Sequence, residues 1–233
     1  MKSLENFKGH FDKGLKVATI LSFLLAADQN LAQAEERHNG SRARAAHFEK
    51  EQEEIISARK VIRRTMDYVK ERGKIHIDAN ADTPANLLAR VMISEEGGYE
   101  DKAHVAVLIA WTVLNRLENK EDFSNADLKK VITSGKGFGL QSGGRQFSSN
   151  QDPVRGDNKS GSIYRVIAQA ILDGCFDDYN FGQKNFIHVA TQNELAAAGK
   201  AKPASQVEAE WEAGGLEEIS IPGVDPKYIK FFK

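Results

Sequence analysis

Two long stretches of helical hydrophobic spacing open the chain. Residues 16–36 form an apolar-rich segment in which Val17 to Ala27 carries no charge and Asp28 closes the run. Asn39-Gly40-Ser41 interrupts it. Residues 43–72 then carry a second helical pattern, ending before Gly73 as a C-terminal cap. Phe48, Ile55, Ile62 and Val69 recur at heptad spacing and share one stripe, but their companion positions are mostly polar. The pattern predicts a long helix that lays a narrow apolar face on a neighbour, with an oligomerisation or docking arm as the alternative. The charged run Glu49 to Glu54 reads as a solvated face.

The pattern changes beyond residue 83. Thr83 followed by Pro84 is a helix start, with the cap at Thr83 and proline in the first turn, and Gly97-Gly98 stops that helix. Asp101 is placed to cap a helix running to Glu118, whose middle, Val105 to Leu114, is apolar nearly all round and so belongs at the centre of a core. A third helix is expected over about 125–134. A fourth is expected over about 162–173, with Ile163, Val166, Ile167, Ala170 and Ile171 inward and Gly174 ending it. Between them, residues 135–161 hold seven glycines and little periodicity, which predicts a long loop of the kind that carries function in compact domains. Asn185 to Ala190 is the best strand candidate, Thr191 with Glu194 reads as a capping box, and Ile219–Gly223 and Tyr228–Phe232 as a short strand or a docked tail. The expected fold is mainly α: a lysozyme-like helical catalytic domain with a long loop and a small strand element, preceded by an extended N-terminal helical region.

Composition sharpens the division. All five prolines lie beyond residue 83, and 15 basic residues face 12 acidic ones up to residue 80, against 17 and 21 after it. Two regions are therefore expected, 1–83 as a helical docking extension and 84–233 as the catalytic domain. The net charge of -1 gives no support to a nucleic-acid partner. Cys175 is the single cysteine, which precludes an intrachain disulfide and fits assembly in a reducing compartment. The Val17–Ala27 run is shorter than the roughly 18 residues of a membrane span. Ala32-Gln33-Ala34 after it resembles a signal cleavage pattern, but Glu5 and Asp12 ahead of it favour an ordinary amphipathic helix. Phosphate-loop, nucleophile-elbow and dinucleotide motifs are absent, and the six histidines form no metal-binding pair, so neither cofactor nor metal is expected.

One residue stands out chemically. Glu95 follows Val91 by four positions, Met92 by three and Leu88 by seven, so helical spacing carries a carboxyl onto the inward face. It also sits in the last turn, where the helix dipole, the adjacent Glu96 and partial burial all favour a retained proton. A general acid for glycosidic cleavage needs that property. A terminal glutamate turned to solvent, or paired with Arg90 or Lys102, is the structural alternative.

The run Leu88-Ala-Arg-Val-Met-Ile-Ser-Glu95, followed by Val105-Ala-Val-Leu-Ile-Ala-Trp-Thr-Val-Leu-Asn115-Arg116, resembles the spore-cortex-lytic enzymes. These belong to a cell-wall hydrolase family with a lytic-transglycosylase-like, lysozyme-related catalytic domain. The resemblance continues more loosely through Gln146-Phe147-Ser148 and covers roughly residues 84–190. It implies that Glu95 is the catalytic acid/base, that Gln146, Phe147 and Ser148 line the substrate groove, and that Asn115-Arg116 is a structural helix end. Where the family often has a second acidic residue, this chain has Tyr99, followed by Glu100. Tyr99, Phe147, Tyr164 and Trp111 are candidate sugar-facing aromatics, with Trp111 placed by its apolar helix rather in the core, and His188 is either a groove residue or a structural histidine.

With one acid, the expected reaction is transglycosylation: cleavage between N-acetylmuramic acid and N-acetylglucosamine, leaving a 1,6-anhydro end. Hydrolysis as a muramidase comes next. The expected partners are peptidoglycan strands and, through residues 1–83, other proteins of a phage particle or injection apparatus, with homo-oligomers possible. Such a protein is synthesised in the cytoplasm and acts on periplasmic wall. A structural virion or secretion-machine component with a muralytic fold that is inactive or only binds peptidoglycan is the alternative from another class.

Overall fold

The computed structural model describes residues 17–39, 45–73, 75, 82–96, 100–118, 128–133 and 159–233. Among them are eight α-helices and one three-stranded sheet, so the mainly helical expectation holds. Helices α1 (Val17–Asn39) and α2 (Ala45–Arg72) come first, and α2 ends at Gly73, whose φ of 68° is the left-handed conformation that favours glycine. Next are α3 (Pro84–Glu96), a 3-10 turn (Glu100–Lys102), α4 (Ala103–Glu118), α5 (Leu128–Thr133) and α6 (Lys159–Leu172). After a second 3-10 turn (Asp177–Tyr179) come β1 (Asn185–His188), α7 (Val189–Ala197), α8 (Ala204–Ala213), β2 (Glu218–Ile219) and β3 (Ile229–Phe232).

Local signals explain most ends. Thr83 caps α3 through its hydroxyl, which accepts from the Asn86 amide at 3.3 Å. After α6 the amide of Gly174 donates to Ile171 and that of Cys175 to Ala170, a Schellman closure. The capping-box reading of Thr191 is corrected: α7 starts at Val189, so Thr191 lies inside the helix and β1 stops at His188 rather than Ala190. The docked tail, in contrast, is real strand. β3 pairs antiparallel with both β1 and β2, giving the order β1-β3-β2.

The compositional change near residue 83 is not a break in packing. Ile20, Leu24 and Leu31 of α1 and Ile55, Ile62 and Val69 of α2 lie in one buried cluster with Leu88 and Met92 of α3, Leu108 and Ile109 of α4, and Ile167 of α6. Three of the four heptad residues, Ile55, Ile62 and Val69, are thereby covered by the chain itself. Polar ties join the same parts. Tyr68 donates to Asp173 at 2.8 Å, and Arg64 bonds the Cys175 carbonyl and the Asp178 carboxylate beside the rings of Phe176 and Tyr179.

The C-terminal segment is clamped between α2 and α4. The Nε2–H of buried His104 donates to the Gly223 carbonyl at 2.7 Å. Gly223 has φ +75°, and a Cβ there would lie 2.2 Å from Ser57 Oγ and 3.3 Å from the Glu53 carbonyl. Gly223→Ala should therefore destabilise the protein by roughly 1–3 kcal/mol, combining backbone strain with overpacking. Urea unfolding measures this, and an unchanged midpoint would mean that the loop is not held against Ser57.

Candidate functional site

The strand period of two decides which way β1 presents its side chains. Ile187 packs, together with Phe232 of β3, against Val207 and Trp211 of α8. Phe186 and His188 take the opposite face, toward the main core, with Phe186 opposite Phe231 and His188 opposite Ile229. The end of α4 fixes that strand. Asn115 donates to Asn180 at 3.0 Å and to the Gln183 carbonyl at 2.8 Å, while Arg116 bonds the Lys184 carbonyl and, at 2.5 Å, the Asn185 side chain. Asn115 and Arg116 thus hold the segment that delivers His188.

His188 arrives beside the end of α3. Its Nε2 lies 3.5 Å from Glu96 Oε1 and 3.9 Å from Glu95 Oε2. The other oxygen of Glu96 accepts from the Tyr228 hydroxyl at 3.5 Å, and the rings of His188 and Tyr228 meet edge to face at 5.7 Å. Lys102 closes the group, with its ammonium 2.5 Å from Glu54 of α2 and 4.7 Å from the centre of the Tyr228 ring. Five parts of the fold, α2, α3, the 3-10 turn, β1 and the C-terminal segment, thus converge on one pair of adjacent carboxyls.

The two carboxyls differ in accessibility. The Glu95 side chain keeps 11% exposure and that of Glu96 none. Burial drives the Glu96 pKa up to about 8; Lys102 works against the rise, while Glu95 and Glu54 add to it. Burial also drives His188 down to about 4, so the imidazole is neutral at neutral pH. The buried acid that holds its proton is therefore Glu96, which the sequence presented only as the neighbour of Glu95.

This has a consequence for stability. Glu96 has a raised pKa in the fold, so its stabilising contribution is complete below the ordinary carboxyl range near 4.5 and is lost as pH climbs toward about 8. Glu96→Gln removes the ionisation and should raise the thermal midpoint at pH 9 relative to wild type, by about 2–4 °C for each kcal/mol relieved. Near pH 4 the gain should vanish. Melting curves at both pH values test it, and an equal shift at both would mean that Glu96 is not held neutral by the fold.

The remaining sequence candidates divide. Gln146, Phe147, Ser148 and Tyr99 lie outside the described residues, as does most of the expected loop. Tyr164 is 1% exposed inside α6, so its ring is core and not a sugar platform. Trp111 is partly buried, and its indole donates to the Phe176 carbonyl at 2.9 Å, the structural role expected of it. His188 is brought to Glu95. Lys102, considered in the sequence only as a partner for Glu95, pairs with Glu54, while Tyr228 and Glu54 were not singled out, because nothing local announces contacts made between such distant parts of the chain.

Among the described residues no group of three or more His, Cys, Asp or Glu side chains is arranged to hold a metal ion, and no helix is long and apolar enough to cross a membrane. Compared with protein-family models, curated proteins and solved structures, the chain gives no match.

Proposed function

We propose that the chain cleaves the glycan strand of peptidoglycan between N-acetylmuramic acid and N-acetylglucosamine, with Glu95 as the single general acid/base. The carrying observation is the inequality of the paired carboxyls: Glu95 keeps a route to solvent, whereas Glu96 has none. Glu96 therefore cannot flank a sugar as a second catalytic carboxylate, and Glu54 is engaged by Lys102. Among the described residues the pair thus offers one acid to a sugar, and a mechanism with one acid favours transglycosylation. Glu95 protonates the leaving oxygen, then takes the proton of the muramic acid 6-hydroxyl as that oxygen closes the 1,6-anhydro ring, and so returns to its starting state.

Delivery by a phage particle or injection apparatus completes the proposal. Docking would use the outward faces of α1 and α2, since their inward apolar residues are already buried within the chain. The test is digestion of purified sacculi with the full chain and identification of the released ends by mass spectrometry. Anhydro ends support the proposal, reducing muramic acid ends convert it to a muramidase, and no release leaves the structural wall-binding alternative.

A further inference from the structure

The pair behind Glu95 presents a problem of hydrogen bonding. Glu96 Oε1 and His188 Nε2 are both buried, face each other at 3.5 Å, and have no hydrogen-bond partner. Leaving two such atoms unsatisfied costs the full desolvation of each. Two lone pairs pointed at each other would be worse, and a buried carboxylate against an imidazolium would put two charges where water cannot reach. With Oε2 kept as the acceptor for the Tyr228 hydroxyl, one arrangement meets both needs with neutral groups. The proton resides on Oε1 and is donated to Nε2, the imidazole carries its own proton on Nδ1, and Oε2 is left to accept from Tyr228.

Resting on the reading of Glu95 as the acid, we propose that Glu96 is a positioning residue. By donating its carboxyl proton to His188 Nε2, it occupies the hydrogen-bond acceptor nitrogen 3.9 Å from Glu95 and leaves the Glu95 carboxyl to the substrate. The surroundings agree. Among the described residues the charged and titratable groups around Glu96 are Glu95 on its own helix, Lys102 on the 3-10 turn, Glu54 on α2, His188 at the end of β1 and Tyr228 before β3. Lys102 favours ionisation, Glu54 and Glu95 oppose it, and burial outweighs them to keep Glu96 neutral up to about pH 8. Above that pH the imidazole proton passes from Nδ1 to Nε2 to meet the ionised Glu96, the neutral pair is lost, and cleavage declines.

Nitrogen-15 NMR of the histidine-labelled full chain tests the pair without any substrate. His188, assigned with His188→Ala, should be neutral with its proton on Nδ1 at pH 6.5, and its Nε2 signal should move through a step near pH 8 that Glu96→Gln abolishes. A proton on Nε2 at pH 6.5, or an Nε2 signal indifferent to Glu96→Gln, overturns the proposal. On sacculi, Glu96→Ala should slow cleavage roughly ten- to a hundredfold, as expected for a displaced reacting group. Glu96→Gln should recover most of that rate and move the alkaline limb to higher pH. Wild-type rate and pH profile in Glu96→Ala would overturn the proposal while leaving Glu95 its role. Wild-type protein that leaves sacculi intact, with the NMR step present, would instead remove the Glu95 reading on which it rests.

Discussion

Glu95→Gln should lower the release of glycan fragments from sacculi by about two orders of magnitude or more, with the unfolding transition retained. A positioned general acid contributes roughly 10²- to 10⁴-fold, and the amide keeps the volume and polarity of the side chain while removing the transferable proton. Packing is not disturbed, because Glu95 is the partly exposed member of the pair, at the last turn of α3. Glu96 cannot take over, since its carboxyl has no exposed surface. Turnover assays beside thermal unfolding decide the matter. Wild-type turnover in Glu95→Gln would remove Glu95 from the mechanism, and loss of the transition would mean that its role is structural.

Legibility of the fold in the sequence followed the range of the interaction. Helix starts and stops that depend on neighbours were readable: Thr83 with Pro84, Gly73 after α2, Gly174 after α6. The apolar run in α4 correctly announced a buried helix, and residues 103–110 are all buried. The Thr191 capping box misled because β1 hands over directly to α7 at His188, where the Val189 amide is taken by the Tyr228 carbonyl at 2.9 Å. A strand partner 39 positions away in sequence overrode a local signal. The same range effect hid the boundary question: a change of composition reports what a segment is made of, not what it packs against.

At the site, the inward direction of the α3 carboxyls was legible and their ranking was not. Glu95 and Glu96 both fall on the inward side, Glu96 lying four positions after Met92 and eight after Leu88. Which of them loses water depends on Tyr228 and His188, brought in by a strand that Asn115 and Arg116 fix in place. The spacing thus located an acid with a raised pKa to within one residue, and the tail determined that this acid is Glu96.

Deletion of residues 1–80 should abolish cooperative folding rather than release an active domain. On composition alone, residues 81–233 would be expected to keep cleavage activity by themselves. The core argues otherwise. Ile20, Leu24, Leu31, Ile55, Val61, Ile62, Tyr68 and Val69 are all buried in the cluster that includes α3, α4 and α6. Each contributes about 1.5–3 kcal/mol of burial, so losing even half of that total approaches or exceeds the roughly 5–15 kcal/mol by which a domain is stable. The deletion also takes Glu54 from Lys102, Ser57 from beside Gly223, and Arg64 and Tyr68 from the turn after α6. Lys102 would lose its partner 2.5 Å away at the rim of the carboxyl pair, so the site would suffer together with the core. Circular dichroism during heating measures the outcome for the 81–233 fragment, and a sigmoidal transition like that of the full chain would show that the helices before residue 81 are dispensable. The milder substitution Glu54→Gln leaves the core intact and separates the two effects. It should keep the cooperative transition while lowering cleavage, because Lys102 loses the charge that holds it against Tyr228.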